Sequence, residues 1–178
     1  MKTVTGPDEA TYQKYESGLI MRIKGEQVTR IPIDSPSYGT VNQFFDIPIA
    51  KLSNGITVAN FSSAHTFVFE DGSELAACDA GRSTEFAVSP QEQSLRVENG
   101  CEIVTLKPTM NDACFKELTR VLTNPRFDYL IVSRMMMEAI EGSMLMNHLE
   151  IDRCVTIRKR DRNGPICIDK FCGFNIPF

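Results

Sequence analysis

The 178-residue chain has only two histidines, no tryptophan, no cysteine pair spaced C-x-x-C, and no glycine-rich phosphate loop. Each shortage removes a class of chemistry. Zinc sites want paired ligands two to four residues apart. Here the closest cysteines, Cys167 and Cys172, are five apart and the histidines are His65 and His148, so no metal and no cofactor is expected. Without the glycines of a Walker or dinucleotide loop, neither phosphate cradle is present. No apolar run approaches the ~20 residues that span a bilayer. The stretch MKTVTGPDEATYQKYESG has no apolar segment of the kind that directs secretion. A cytoplasmic protein with no membrane partner is expected, its six cysteines (Cys78, Cys101, Cys114, Cys154, Cys167 and Cys172) reduced and serving mostly as small buried hydrophobes. The missing tryptophan carries no functional consequence.

What is present is the composition of an ordinary globule: 42% hydrophobic and 24% charged residues, net charge −4, pI about 5.3. The acidic balance disfavours a nucleic-acid partner. The length is that of one domain.

The chain is organised around ITVANFSSAHTFVFEDGSELAACD, residues 56–79. It reads as strand, polar loop, strand, tight turn at Asp71-Gly72, strand. Before it, residues 1–17 read as a mobile arm or a short helix over Asp8–Tyr15. Leu19–Lys24 and Val28–Ile33 read as a hairpin, and Pro48 marks an edge strand ahead of the Asn54-Gly55 turn. After it, Ser89-Pro90-Gln91-Glu92 has the cap, N1 proline and acid of a helix start, which Asn99-Gly100 would end. Glu102–Leu106 reads as a strand, and a helix runs from Asn111 or Asp112 to Leu122. FDYLIV, residues 127–132, is apolar enough for a strand buried on both faces. Ser133-Arg134 and a methionine-rich helix follow, and a hairpin over Cys154–Arg160 and Ile166–Phe171 closes the chain. The expected fold is one α+β domain: a mixed, mainly antiparallel sheet with two or three helices packed on one face.

Candidate chemistry lies in the connections. Asn60, Ser62, Ser63 and His65 could let backbone, hydroxyls and an imidazole approach a ligand. Asp79 and Arg82 follow the last strand of the segment; a guanidinium forks onto phosphate. Ser133 and Arg134 stand at the carboxyl end of a buried strand and the start of a helix, where anions collect. Arg158, Lys159 and Arg160, with Arg153, Arg162 and Lys170 nearby, form a basic cluster that could meet an anionic ligand, RNA or an acidic protein surface. Met135, Met136 and Met137 are consecutive on a helix, so at least one is exposed, which allows a homo-oligomer.

The phrase NGITVANFSSAHTFVFEDGSELAACD, with FDYLIVS and the closing KFCGF, resembles short bacteriophage and bacterial proteins that have no assigned activity. The resemblance covers about two thirds of the chain. It implies a phage or prokaryotic setting, in the host cytoplasm if phage-encoded, and a role against host processes or defences.

These features give three expectations. The first is a binding module for a nucleotide or other phosphorylated small molecule, for instance one sequestering a host nucleotide signal. Its site residues, Asn60, Ser62, Ser63, His65, Asp79, Arg82, Ser133 and Arg134, would converge on one pocket. The second is a protein–protein module that inhibits a host factor through the basic hairpin or the methionine helix. The third is a hydrolase of a nucleotide-like substrate with His65 as general acid or base; Ser63, His65 and Asp79 are its one testable triad.

Overall fold

A computed structural model describes residues 1–178 except 7, 43, 44, 46, 79, 124 and 175–178. The fold is α+β, with mainly antiparallel sheets. Its centre is a five-stranded sheet in the order β13-β12-β11-β6-β5: β5 is Ile49–Lys51, β6 Thr57–Asn60, β11 Tyr129–Ile131, β12 Cys154–Lys159 and β13 Ile166–Cys172. β11 runs parallel to both β6 and β12, while β5 and β13 close the edges antiparallel. The apolar run at 127–132 is thus the middle strand, and Leu130 and Ile131 are buried on opposite faces.

Two crossover helices cover one face. α3 (Asp112–Thr123) buries Cys114, Leu118, Val121 and Leu122; α4 (Arg134–Glu141) buries Met136, Met137, Ala139 and Ile140. Both pack with Ala59, Phe61 and Leu130 in a single cluster. The i, i+3, i+4 spacing of the apolar residues places each set on one stripe. Burial drives the thiols up, Cys114 to about 11 and Cys154 to about 12. The other face of the sheet packs Val58, Ile131 and Val155 against Phe69 and Leu75 of the small hairpin formed by β7 (Phe67–Val68) and β8 (Glu74–Leu75). Asp71-Gly72 turns that hairpin as expected, with Gly72 at φ 83. The Asp71 carboxylate also accepts the Ser53 amide at 2.8 Å, tying this turn to the one between β5 and β6.

Two expectations are corrected. Asp8–Tyr15 is not a helix: β1 (Lys2–Thr5) and β2 (Thr11–Lys14) join β3 (Ile20–Lys24) and β4 (Gln27–Ile31) in a four-stranded meander. Tyr12, Ile20 and Ile31, one from each of β2, β3 and β4, bury there, and α1 (Tyr38–Asn42) supplies Val41 to the same cluster. The Ser89-Pro90 start is not helical either. β9 (Val88–Glu98) and β10 (Cys101–Met110) form a long antiparallel ribbon. Asn99 and Gly100 both have positive φ, 53 and 78, so the pair that mimics a helix stop is a two-residue hairpin turn. The mixed sheet with helices on it is the central five-stranded one, and it is one of four sheets among the described residues. No helix among the described residues is long and apolar enough to cross a membrane.

Candidate functional site

The strands of the central sheet differ in length, and that difference makes a cavity. β11 stops at Ile131, opposite Val155, whereas β12 continues to Lys159. Above the short strand a hollow of 740 Å³ opens outside the carboxyl ends of the parallel strands. This is the place where open α/β sheets collect ligands. Its walls come from the loop after β6 (Ser63), β7 (Phe67), the cap and body of α4 (Ser133, Arg134, Met137), and β12 (Thr156, Ile157), with Glu138, Glu141 and Cys172 completing the rim.

Each wall has a local cause. Ser133 is the N-cap of α4: its backbone is extended and its hydroxyl accepts the Met136 amide at 3.1 Å. Arg134 follows as the first helical residue. Its side chain is 90% exposed and sits 3.4 Å from Glu138 one turn on, a solvent-screened pair of little energy. The loop after β6 is held from below by Asn60, which is fully buried. The Asn60 amide donates to the Ser63 and Ala76 carbonyls, each at 2.9 Å, and its oxygen accepts the Ser63 amide at 2.8 Å. Asn60 is therefore the bracket of the loop and not a ligand-facing group.

Arg82 lies elsewhere. It projects from α2 (Ala80–Glu85) into a separate hollow of 660 Å³ with Lys2, Phe45, Glu85, Glu117 and Arg120. The guanidinium stacks between Phe61 and Phe86, 5.3 and 4.9 Å from their ring centroids. It donates to the Phe61 carbonyl at 2.8 Å and to Glu117 at 2.9 Å; Arg120 donates to the same carboxylate at 2.8 Å. Desolvation pushes the Glu117 carboxyl up, but the bonds from Arg120 and Arg82 outweigh it and hold Glu117 below the usual range.

The eight residues expected in one pocket thus divide. Ser63, Ser133 and Arg134 share the strand-end cavity; Arg82 occupies the second hollow. Ser62 is half-buried and His65 exposed, and neither lines the cavity. The His65 amide donates to Ser63 Oγ at 3.2 Å, a turn-closing bond. Asp79 lies outside the described residues. In the basic hairpin Arg158 and Lys159 are exposed, while Arg160 bonds Glu70 and Asp169 at 2.7 and 3.2 Å. Glu70, Asp169 and Cys167 cluster closely enough to ligate a cation, and the Arg160 guanidinium fills that role toward both carboxylates. Of the three methionines, Met135 is exposed and Met136 and Met137 are buried.

Phe67, Thr156 and Ile157 are cavity residues with no signal in the sequence pattern, while Met137 reads there as core or subunit contact and Glu138 and Glu141 as a solvated face. The one available signal was spacing: Arg134, Glu138 and Glu141 share a helical face. No protein-family model, curated protein or solved structure matches this chain.

Proposed function

We propose that this chain is a binding module for a nucleotide or similar phosphorylated small molecule, held in the cavity at the carboxyl ends of β6, β11 and β12. One observation carries the reading: two segments about 70 residues apart bring Ser63 and the Ser133-Arg134 pair to a single concave surface of ligand size. Arg134 is long, exposed and weakly engaged, so it can fold onto a phosphate as a planar two-toothed donor. The positive end of α4 starts at Ser133 and adds its dipole there. Phe67, Met137 and Ile157 offer apolar wall for a flat ring. His65 stands outside this surface, so the proposal is for capture without turnover.

Calorimetry with a nucleotide panel, cyclic species included, tests it. Binding in the micromolar range is expected and should fall roughly 10- to 100-fold in Arg134→Ala, the loss of one hydrogen-bonded charge. No heat with any member ends the proposal.

A further inference from the structure

The cavity is chemically lopsided in a way that narrows its ligand. Its charged lining residues are Arg134, Glu138 and Glu141, one cation against two anions. On the reading that the cavity holds a phosphorylated molecule, we infer that the ligand is a ribonucleoside carrying a single phosphate. Arg134 takes the phosphate, Glu141 and Glu138 take the ribose hydroxyls, and the base lies against Phe67 and Met137.

Three facts converge on this division. First, a polyphosphate adds negative charge to a surface already in anionic excess, and only one lining guanidinium is there to meet it. A single phosphate matches that one guanidinium. Second, carboxylates accept hydrogen bonds and donate none when ionised. A ribose presents two vicinal hydroxyl donors, and an acid facing a ribose is how dinucleotide sites read that sugar. Glu138 and Glu141 are three residues apart on α4, hence neighbours on one face, and both are exposed toward the cavity side occupied by Arg134. Third, the remaining wall combines apolar surface from Phe67, Met137 and Ile157 with the hydroxyl residues Ser63 and Thr156. Met137 is unbranched and adapts to a flat ring, and Phe67 supplies an aromatic neighbour. Anionic end, hydroxyl pair and planar ring are the parts of a nucleotide, and the cavity offers complementary chemistry for each.

The test is calorimetry in excess chelator with five probes: a ribonucleoside 5′-monophosphate, its 2′-deoxy form, its 5′-triphosphate, ribose 5-phosphate and inorganic phosphate. The monophosphate is expected to bind at least tenfold more tightly than the triphosphate and fivefold more tightly than the deoxy form. Glu141→Gln keeps size and hydrogen-bonding shape while removing the charge, at an exposed helical position where folding is not at issue; a thermal melt confirms that. It should weaken ribonucleotide binding about fivefold and deoxynucleotide binding less, so that the gap between the two forms narrows. A triphosphate that binds as well as or better than the monophosphate, or a Glu141→Gln chain that binds every nucleotide more tightly, overturns the inference, since the carboxylates would then be repelling the ligand. Binding of ribose 5-phosphate or phosphate without binding of nucleotides also overturns it, while leaving the phosphorylated-ligand reading standing. Silence from all five probes removes both.

Discussion

The hollow around Arg82 and the cavity around Arg134 are close in size, 660 and 740 Å³, and each contains a guanidinium. Their arginines live under opposite terms. The Arg82 side chain is 11% exposed, sandwiched by two aromatic rings and bonded to Glu117 and to the Phe61 carbonyl. Taking a guanidinium out of water is costly, so the fold surrounds it with acceptors, and those acceptors leave it little to offer a ligand. The Arg134 side chain is 90% exposed with one weak ion pair. It contributes little to the fold and for that reason can turn to a newcomer. The comparison teaches that a cation's usefulness for binding runs against its usefulness for packing, and that proximity to a hollow does not by itself mark a site.

The sharpest way to break the contrast is to remove Arg82. Arg82→Met leaves Glu117 buried with only Arg120 and empties the slot between Phe61 and Phe86. A loss of about 3 kcal/mol in chemical denaturation is expected, from the cost of breaking a buried pair. A loss below about 1 kcal/mol would say that Arg82 is as dispensable as Arg134. Asn60 underlies both regions, since it fixes the loop that carries Ser63. Asn60→Ala removes three part-buried bonds, two to Ser63 and one to Ala76, and leaves a fully buried site without its polar side chain; a destabilisation of about 2 kcal/mol is expected in the same assay.

Acid sharpens the contrast without mutation. Glu117 titrates below its ordinary 4.5 in the folded chain. A carboxylate with a depressed folded value adds stability above its unfolded value, and that stability disappears as pH falls through the folded one. Stability should therefore drop below pH 4.5 more steeply in the natural chain than in Glu117→Gln; parallel curves would refute the pairing. At the other region the effects on folding shrink. Ser133→Ala removes the cap of α4 and should cost about 1 kcal/mol. Arg134→Ala should change stability by less than about 0.5 kcal/mol, as exposed ion pairs do.

Much of the scaffold was legible because local signals and tertiary demands agree there. The 127–132 run is apolar enough that Leu130 and Ile131 bury on opposite faces, the helix at 112–123 has a clean apolar stripe, and Asp71-Gly72 is a strong turn signal flanked by apolar runs. The ribbon was misread because Pro90 at a helix start and Asn99-Gly100 at a helix end are also what a hairpin with a two-residue turn can contain; pairing with β10 decides, and pairing is not local. The candidate site was half legible. Ser133-Arg134 follows from strand-then-helix order. The fate of Arg82 depends on Glu117, 35 residues away, and no spacing rule announces that contact. Glu138 and Glu141 look like any solvated helical face until the short β11 opens a cavity beside them.

The claim that decides the account is location. A mononucleotide titration followed at every backbone amide by NMR would report it directly. Perturbations gathered at Ser63, Ser133, Arg134 and Thr156, with Arg82, Glu85 and Arg120 unmoved, are the predicted result. Perturbations centred on Arg82 and Arg120, or none anywhere, would contradict it.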